Sequence, residues 1–428
     1  MKLSFSYDGY TYITDDTNEI DEKTLFLKTA QNSRYFDNQS RYIAPKELIK
    51  AWELDALQVV GITGTNGKTT IAAAIYSILL DLGESCGMQG TRGFFANETR
   101  LEERSMTTPS VLETIYNMKQ AYALGCNYFV MEVSSHAIIQ ERIEGIEFAL
   151  KVHTNVSADH LDYHKTIEEY RRVKSLFFAD ESPKLLNRDD INKITYNPIN
   201  AQSYALDNPA TFKIQAFSLN NGITAYIKHL QEEATFYSSL VGLFNVYNIT
   251  AAIGAVVMLT KRPIQEVCDT VANFGGVAGR MEVVSQHPLV IVDFAHTDDG
   301  ILKVLESMKD RELSVVFGAG GDRDKTKRPK MGAVVGRFAK KIYVTSDNPR
   351  SEEPQAIIDE ILVGLQGKEN VTAIVERKEA IERALAELEG DETLLILGKG
   401  DEDYQEIKGV KHPFDDRVIV REILVQNR

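Results

Sequence analysis

Apolar and polar positions along this chain predict strands that alternate with helices. Short apolar runs predict buried strands over 128–133 and 151–156, and a helical pattern covers 111–122. Alternation of this kind favours a parallel sheet covered by helices. Further on, Asn221 and Gly222 lie between alternating residues and predict a hairpin over 216–227, followed by a helix over 245–259.

A second series of strands and helices follows the glycine-rich segment 274–280, which we interpret as a hinge. Strands are predicted over 289–294, 313–317, 341–345, 371–375 and 393–397, and helices over 300–308, 331–338, 354–365 and 378–388. The first 50 or so residues are mixed and polar, which is typical of a small separate unit. We therefore expect an α/β protein of three domains, with boundaries 1–55, 56–276 and 277–428.

Composition narrows the function classes. The chain has 428 residues, is 43% hydrophobic and carries a net charge of -14, which argues against general nucleic-acid binding. Its three cysteines show no paired metal-ligand spacing and indicate a reducing cytoplasm. The N-terminus lacks the apolar segment of a signal peptide, and we expect no apolar run of membrane-spanning length.

The segment 57–70 combines an apolar run, a glycine-rich turn and the start of a helical pattern. Backbone N–H groups of such a turn point at phosphate oxygens, and the helix N-terminus adds a favourable dipole. Lys68 is placed to reach the terminal phosphates of a nucleotide, and the Thr69 hydroxyl to ligate Mg²⁺. The common motif has a glycine where Ile62 stands, so a structural glycine turn is the alternative.

Two further polar clusters follow predicted strands. Glu132 stands at the end of one strand, and a carboxylate there suits Mg²⁺ beside the phosphate loop, with a solvated strand end as the alternative. The cluster 159–164 includes His160 and His164. Zinc is the rival ligand for this cluster, but no cysteine or third nearby histidine completes a zinc site.

Together the motifs 64–70, 131–136 and 159–164 resemble the Mur ligase family. Later segments strengthen the resemblance in family order: 242–248, 279–282, 293–297, 318–324, 347–350 and 398–400. The resemblance is greatest to the members that add the third amino acid of the cell-wall peptide. Those members join UDP-N-acetylmuramoyl-L-alanyl-D-glutamate to meso-diaminopimelate or L-lysine and convert ATP to ADP and phosphate.

The resemblance implies a uridine-nucleotide-binding N-terminal domain, a central P-loop ATPase domain with a mostly parallel sheet, and a C-terminal Rossmann-like α/β domain. It implies ATP and Mg²⁺ as cofactors and catalytic roles for Lys68, Glu132, His160 and Lys174. The last three of these, with Thr69, match metal ligands, and Lys174 matches a lysine that is carbamylated in the family. The matched ATP-binding residues are Gly64, Thr65, Asn66, Gly67, Lys68, Thr69, Thr70, Asn248, Arg280 and Asp293.

Substrate residues carried over by the resemblance form two sets. Those matched to the dipeptide substrate are Thr17, Thr107, Thr108, Ser134, Gln140 and Arg142. Those matched to the incoming amino acid are Arg323, Asp347, Asn348, Arg350, Gly398 and Glu402. Arg350 favours meso-diaminopimelate over lysine, because a guanidinium can hold the extra carboxylate with two parallel hydrogen bonds. The alternative is that Arg350 caps a loop or pairs with Glu352 or Glu353.

Two other functions compete with this one. Another ligase of the superfamily, such as a folylpolyglutamate synthase or a different Mur step, is disfavoured by the motif 347–350. A non-catalytic nucleotide-binding regulator would not need all four of the matched catalytic residues. We therefore expect a cytoplasmic ATP-dependent ligase that acts as a monomer, with no nucleic-acid or membrane partner.

Overall fold

The computed structural model of the protein describes residues 1–36, 41–103, 106–159, 161–220 and 222–426, with only the backbone of Leu161 and Asp162. Two compact units divide the chain. The first contains Met1–Ser239 and Val246–Phe274, and the second contains Leu240–Asn245 and Gly275–Arg428. The predicted boundaries 1–55, 56–276 and 277–428 are a finer division and stay a prediction.

A four-stranded sheet lies at the N-terminus of the first unit. Its strands are β1 (Lys2–Tyr7), β2 (Tyr10–Thr14), β3 (Thr24–Leu27) and β4 (Tyr42–Ile43), followed by helix α1 (Pro45–Ala51). The side chains of Phe5, Ile13 and Leu25 are buried in one hydrophobic core with Phe94 and Phe129 of the following sheet. Burial of this apolar face is what holds so small a sheet in place.

An eleven-stranded sheet forms the rest of the first unit. Its strands are β5 (Gln58–Thr63), β6 (Cys86–Gly90), β7 (Gly93–Ala96), β8 (Thr99–Glu102), β9 (Tyr128–Glu132), β10 (Phe148–His153), β11 (Lys184–Asn187), β12 (Ala201–Ala205), β13 (Phe212–Ser218), β14 (Ile223–His229) and β15 (Glu232–Ser238). The seven central strands, in the order β6-β9-β5-β10-β11-β12-β13, pair in parallel, and antiparallel strands extend both edges. The predicted mostly parallel sheet is confirmed.

The helices of this region are α2 (Lys68–Asp81), α3 (Val111–Ala123), α4 (Ser135–Ile139), α5 (Leu161–His164), α6 (Ile167–Leu176), α7 (Leu243–Thr260) and α8 (Ile264–Thr270). Helix α3 matches its predicted range to within one residue, and its N-cap Ser110 accepts a hydrogen bond from Glu113 N. The predicted hairpin is present as β13 and β14, although Asn221 lies outside the described residues.

Helix α7 corrects the expectation that no apolar run reaches membrane-spanning length. With 18 residues and a mean hydropathy of 1.6, it is long and apolar enough to cross a membrane by length and composition. The share of it buried inside the protein is 67%, which is typical of a core helix.

The strand predicted over 151–156 was misplaced, since β10 begins at Phe148 and ends at His153. After His153 the chain leaves the sheet. There the side chains of Thr154 and Asn155 donate to the Asn66 carbonyl, at 2.6 and 3.1 Å, instead of extending the ladder.

The second unit has a six-stranded sheet in the order β16-β17-β21-β18-β19-β20. Its strands are β16 (Glu282–Gln286), β17 (Leu289–Asp293), β18 (Leu313–Phe317), β19 (Ala339–Thr345), β20 (Val371–Ile374) and β21 (Thr393–Leu397), and a separate hairpin is formed by β22 (Tyr404–Ile407) and β23 (Val410–Pro413). Its helices are α9 (Asp298–Ser307), α10 (Lys327–Phe338), α11 (Pro354–Leu362), α12 (Arg377–Ala386) and α13 (Asp416–Gln426). All pairs in the sheet are parallel except β16 with β17 at one edge. This mostly parallel sheet matches the expected Rossmann-like domain.

Candidate functional site

The phosphate loop connects β5 to α2, which begins at Lys68. Gly67 caps the helix with φ +87°, a conformation that favours glycine, and a Cβ there would lie 2.5 Å from Asn248 Oδ1. The structure therefore brings Asn248, far away in sequence, directly against the loop. Lys68 Nζ donates to the Gly64 and Thr65 carbonyl oxygens, at 2.9 Å each.

The segment that follows β10 holds the loop in shape. Asn66 N donates to Asn155 Oδ1 at 3.2 Å, and Ser157 N donates to Thr65 Oγ1 at 3.0 Å. Thr70, the last residue of the motif, is buried in the first turn of α2. The contacts with Asn155 and Ser157 orient the loop from the segment after β10, so that the shape of the loop does not depend on the motif alone.

Glu132 ends β9 beside the loop. The Thr69 hydroxyl donates to Glu132 Oε2 at 2.9 Å, and Thr91 N donates to Glu132 Oε1 at the same distance. A hydroxyl and a carboxylate side by side are hard oxygen ligands of the kind that Mg²⁺ prefers. These two residues therefore fit a magnesium ion at the phosphate loop.

Lys174 lies in α6, with 1% of its surface exposed. Its Nζ donates to the Gly64 carbonyl at 2.9 Å and lies 3.4 Å from Thr63 Oγ1. Burial, together with the nearby charge of Lys68, holds the pKa of Lys174 well below its usual value. Lys174 is therefore not an ordinary surface lysine of its helix, because its amine is buried against the phosphate loop.

One predicted metal ligand cannot be placed in the site. His160 lies outside the described residues. Within the part of the chain that the structure describes, no group of three or more His, Cys, Asp or Glu side chains could hold a metal. Thr69 and Glu132 are thus the ligands that the geometry brings together.

Residues matched to the dipeptide substrate surround the backbone that follows Glu132. Thr108 Oγ1 donates to the Glu132 carbonyl at 2.9 Å and accepts from Ser134 N at 3.0 Å. Arg142 donates to the Thr108 carbonyl and to Gln140 Oε1, at 2.9 Å each. The hydroxyl of Thr107 is hydrogen-bonded to that of Thr91 at 3.1 Å, and Thr91 N in turn donates to Glu132. Five of the six matched residues therefore form one cluster: Thr107, Thr108, Ser134, Gln140 and Arg142.

Thr17, the sixth matched residue, lies in the 3-10 turn Thr17–Glu19 after β2. Asp16 caps this turn by accepting a hydrogen bond from Asn18 N at 2.9 Å. The proposed contact of Thr17 with the substrate stays a prediction.

In the second unit, the ends of β17 and β21 meet. Asp293 is buried, accepts from Met281 N and Ala295 N at 2.7 Å each, and burial raises its pKa. Gly398 N donates to the Asp293 carbonyl at 3.0 Å. The Arg280 guanidinium stacks on the Phe294 ring, 4.2 Å from its centre. Arg280 and Asp293 are therefore close neighbours.

Residues matched to the incoming amino acid also converge. Asn348 Nδ2 donates to Glu402 Oε2 at 2.7 Å, and the buried Lys399 donates to Asn348 Oδ1 at 3.1 Å and to Glu402 at 3.2 Å. Gly398 has φ +116°, and a Cβ there would lie 2.5 Å from Asp347 Oδ2. The segments 347–350 and 398–402 are thereby fixed to each other.

The Arg350 guanidinium is held by a backbone carbonyl and a carboxylate. Its Nη1 donates to the Gly321 carbonyl at 2.8 Å, and its Nε lies 3.4 Å from Glu406 Oε2. Of the alternatives, the loop cap is present, because this bond to the Gly321 carbonyl caps the glycine loop. The ion pairs with Glu352 and Glu353 are not formed, since Glu352 pairs with Arg328 and Glu353 with Lys408. A backbone φ of +51° at Arg350 is unusual for a residue with a side chain and marks a constrained position.

Arg323 is exposed, and its side chain borders the same small space as Arg350. A Cβ placed at Gly320 would lie 2.9 Å from Arg350 Nη1 and 3.7 Å from Arg323 Cγ. The two guanidinium-bearing side chains thus flank one glycine loop.

Sequence reasoning missed several residues of these clusters. Thr91 bonds Glu132, and nothing in its sequence surroundings distinguishes it. Lys399 stands inside the motif 398–400 and could have been found there. Gln405 Nε2 donates to the Asp347 carbonyl at 2.7 Å from a strand that was not predicted, β22.

Comparison with known proteins gives family matches over most of the chain. The model of the Mur ligase middle domain matches residues 62–256, and that of the Mur ligase glutamate ligase domain matches residues 279–400. Among solved structures, one titled "Structure of UDP-N-acetylmuramoyl-L-alanyl-D-glutamate--2,6-diaminopimelate ligase" has a TM-score of 0.71 and 29% identity, over 97% of this chain and 94% of that one. A folylpolyglutamate synthase of Mycobacterium tuberculosis has the same fold, with a TM-score of 0.67 and 16% identity, over 83% of this chain and 91% of that one.

Curated relatives match along the whole chain. A Wolinella succinogenes protein named UDP-N-acetylmuramoyl-L-alanyl-D-glutamate--2,6-diaminopimelate ligase is 49% identical, over 100% of this chain and 99% of its own length. A Helicobacter hepaticus protein of the same name is 48% identical, over 98% of each chain. The chain therefore belongs to the Mur ligase family, whose fold and motifs it carries throughout.

Proposed function

We propose that this chain joins meso-diaminopimelate to the D-glutamate of UDP-N-acetylmuramoyl-L-alanyl-D-glutamate and converts ATP to ADP and phosphate. The observation that carries the proposal is the identity of 49% along the whole chain to a relative that bears this ligase's name. The Thr69 hydroxyl bonded to the Glu132 carboxylate beside the phosphate loop supports the ATP-dependent half. The product is a precursor of peptidoglycan, the polymer of the bacterial cell wall.

ATP is assigned to the loop 64–70 and to Asn248, with Arg280 and Asp293 as further contacts. The loop amides and Lys68 supply positive charge where the terminal phosphates would lie. Mg²⁺ neutralises phosphate charge when it is bound. Thr69 and Glu132 would hold that ion, and Glu132 is kept in place by Thr91 N.

Lys174 is proposed to act as a carbamate. Carbamylation joins the nitrogen of a neutral amine to CO₂ and releases a proton. Burial lowers the pKa of Lys174 and thereby supplies the neutral amine. The resulting anionic oxygens would be metal ligands, with His160 as a further candidate.

The proposed reaction has two steps, phosphoryl transfer and amide-bond formation. A carboxylate of the D-glutamate attacks the γ-phosphorus of ATP and ADP leaves, which forms an acyl phosphate. The amine of diaminopimelate then attacks the acyl carbon, phosphate leaves and the amine loses a proton. Fixed positive groups stabilise the charge that develops on the transferred phosphoryl group.

The two substrates are assigned to separate clusters. Residues Thr17, Thr107, Thr108, Ser134, Gln140 and Arg142 would bind the dipeptide substrate. Residues Arg323, Asp347, Asn348, Arg350, Gly398 and Glu402 would bind the incoming amino acid. Arg350 would hold the distal carboxylate of diaminopimelate, which lysine lacks, because a guanidinium pairs with a carboxylate in two parallel bonds.

We place the enzyme in the cytoplasm, as a monomer that acts on small soluble substrates, with no nucleic-acid or membrane partner. The net charge of -14 supports the lack of nucleic-acid binding.

Product formation with the purified chain tests the proposed function. With ATP, Mg²⁺ and the dipeptide substrate, phosphate release should depend on diaminopimelate, and lysine should be a poor replacement. Exchanging Arg350 for Ala should raise the KM for diaminopimelate by about 10- to 150-fold, as expected for one charge-assisted pair, and that for ATP far less. Equal efficiency of the wild type with lysine would overturn the assignment of Arg350, and no ligation with either amino acid would overturn the function.

A further inference from the structure

A buried ion pair lies beneath the amino-acid loops and is not used in the chemistry above. Arg377 begins α12 and Asp416 begins α13. Arg377 Nε donates to Asp416 Oδ1 at 2.8 Å, and its Nη2 donates to Oδ2 at 2.7 Å. Both side chains have no exposed surface. A buried pair of charges is weak evidence for a gain in stability, which raises the question of what else it does.

The same guanidinium reaches the ends of two strands that are not neighbours. Arg377 Nη2 also donates to the Leu397 carbonyl at 3.0 Å, one residue before Gly398. Arg377 Nη1 faces Asp347 Oδ2 at 4.0 Å, and neither of these two atoms has a hydrogen-bond partner among the described residues. Arg377 is thus hydrogen-bonded to the last residue of β21 and forms a longer ion pair with Asp347, two residues after the end of β19. Strands β19 and β21 are separated by β18.

Those two strand ends carry the residues assigned to the incoming amino acid. Asn348 N donates to Asp347 Oδ1 at 2.7 Å. The backbone of Gly398 approaches Asp347 so closely that a Cβ would lie 2.5 Å from Oδ2. A displacement of Arg377 would therefore move both loops.

We propose that Arg377, held by Asp416, is a positioning residue that sets the placement of segment 347–350 relative to segment 398–402. This inference rests on the proposed function, because it concerns the amino-acid site of that reaction. It predicts an effect on the amino-acid substrate that is separable from any effect on folding.

Only a guanidinium has the donors for this arrangement. Its planar fork gives two parallel bonds to Asp416 and further N–H groups toward Leu397 and Asp347. An ammonium is a point charge on a shorter branch and cannot fill the same positions. Arg377→Lys therefore keeps the charge and removes the geometry.

Three variants of the full chain test the proposal: Arg377→Lys, Asp416→Asn, and the double variant Arg377→Met with Asp416→Leu. Each should raise the KM for diaminopimelate about tenfold or more, while the KM for ATP stays within about twofold. The double variant removes both buried charges, and such apolar replacement is often neutral or stabilising. A normal unfolding midpoint with a raised KM for diaminopimelate would then exclude simple loss of stability.

Glu392→Gln is the matched control. Glu392 is buried at the opposite end of the same strands, where it pairs with Lys340 at 2.7 Å and with Lys341 at 3.4 Å. It should lower stability without a selective rise in the KM for diaminopimelate. A similar rise in this control, or an unchanged KM in Arg377→Lys, would overturn the positioning role. Failure of the wild type to use diaminopimelate would instead contradict the proposed function.

Discussion

Two lysines of the first unit are buried in the same manner but in different surroundings. Lys184 Nζ donates to the Asp180 and Ile199 carbonyl oxygens, at 2.9 Å each, in β11. Lys174 Nζ donates to the Gly64 carbonyl, also at 2.9 Å, beside the phosphate loop. Burial lowers the pKa of both amines. Comparing variants of these two lysines distinguishes a chemical role from a structural one, because only Lys174 lies at the candidate site.

We predict that Lys174→Ala lowers ligation by roughly 100-fold or more, since even the outer partners of metal sites cost 10- to 100-fold. Turnover per folded molecule is the measurement, with high CO₂ or a short carboxylic acid added to test for partial rescue. Lys184→Ala is the control, and it should lower the unfolding midpoint but keep turnover near the wild-type value. Near-normal turnover in Lys174→Ala would refute the carbamate.

At the scale of elements, one carboxylate joins several pieces of the first unit. Asp189, just after β11, accepts five hydrogen bonds at 2.7–2.9 Å. Their donors are Leu206 N, Asp207 N, Asn208 N, Asn208 Nδ2 and the Tyr247 hydroxyl of α7. Burial alone would raise the pKa of Asp189, but the N–H groups of Asp207 and Asn208 outweigh it and hold the pKa at about 2.

This lowered pKa predicts how the stability depends on pH. Because the ordinary pKa is 3.8, the ionised carboxylate stabilises the fold fully above about pH 4, and this contribution is lost as the pH falls toward 2. Asp189→Asn should therefore lower the thermal unfolding midpoint at pH 7, and its difference from wild type should shrink between about pH 4 and pH 2. Asp207→Asn, an exposed change on the same turn, serves as the control. A difference that is independent of pH would contradict the assignment.

At the scale of the whole molecule, two compact units have separate hydrophobic cores. Phe129 and Met131 belong to the core of the first unit, and Val315 and Leu395 to that of the second. The residues assigned to ATP are divided between the units: the loop 64–70 is in the first, and Arg280 and Asp293 are in the second. We therefore expect nucleotide binding to change the properties of the assigned segments in both compact units.

Amide hydrogen exchange tests this division. A non-hydrolysable ATP analogue with Mg²⁺ and the dipeptide substrate should slow exchange in 64–70 and also in 279–282 and 293–297, because bound segments open less often. The strands β14 and β15 provide an internal reference that should not change. Protection confined to 64–70 would mean that Arg280 and Asp293 do not contact the nucleotide.

The sequence by itself determined the features that a few neighbouring residues encode. The spacing of apolar residues predicted the strands and helices, because side-chain burial repeats with the geometry of each element. The alternation of strands with helices along the chain then predicted the parallel sheets. The phosphate loop could be predicted for the same reason, since Gly67, Lys68 and Thr69 are adjacent and their roles depend on a local strand-turn-helix. The resemblance of successive motifs to the Mur ligase family predicted the reaction that the protein catalyses.

Only the tertiary structure decided which distant residues meet. Glu132 is oriented by Thr91, 41 residues away, and Arg377 is bonded to Leu397 and Asp416, 20 and 39 residues away. Lys174 looks like a surface residue in its own helix, and it is buried because α6 packs against the phosphate loop. Such contacts follow from the order in which strands assemble, and local periodicity does not determine that order because each strand buries its apolar face equally well beside several different neighbours.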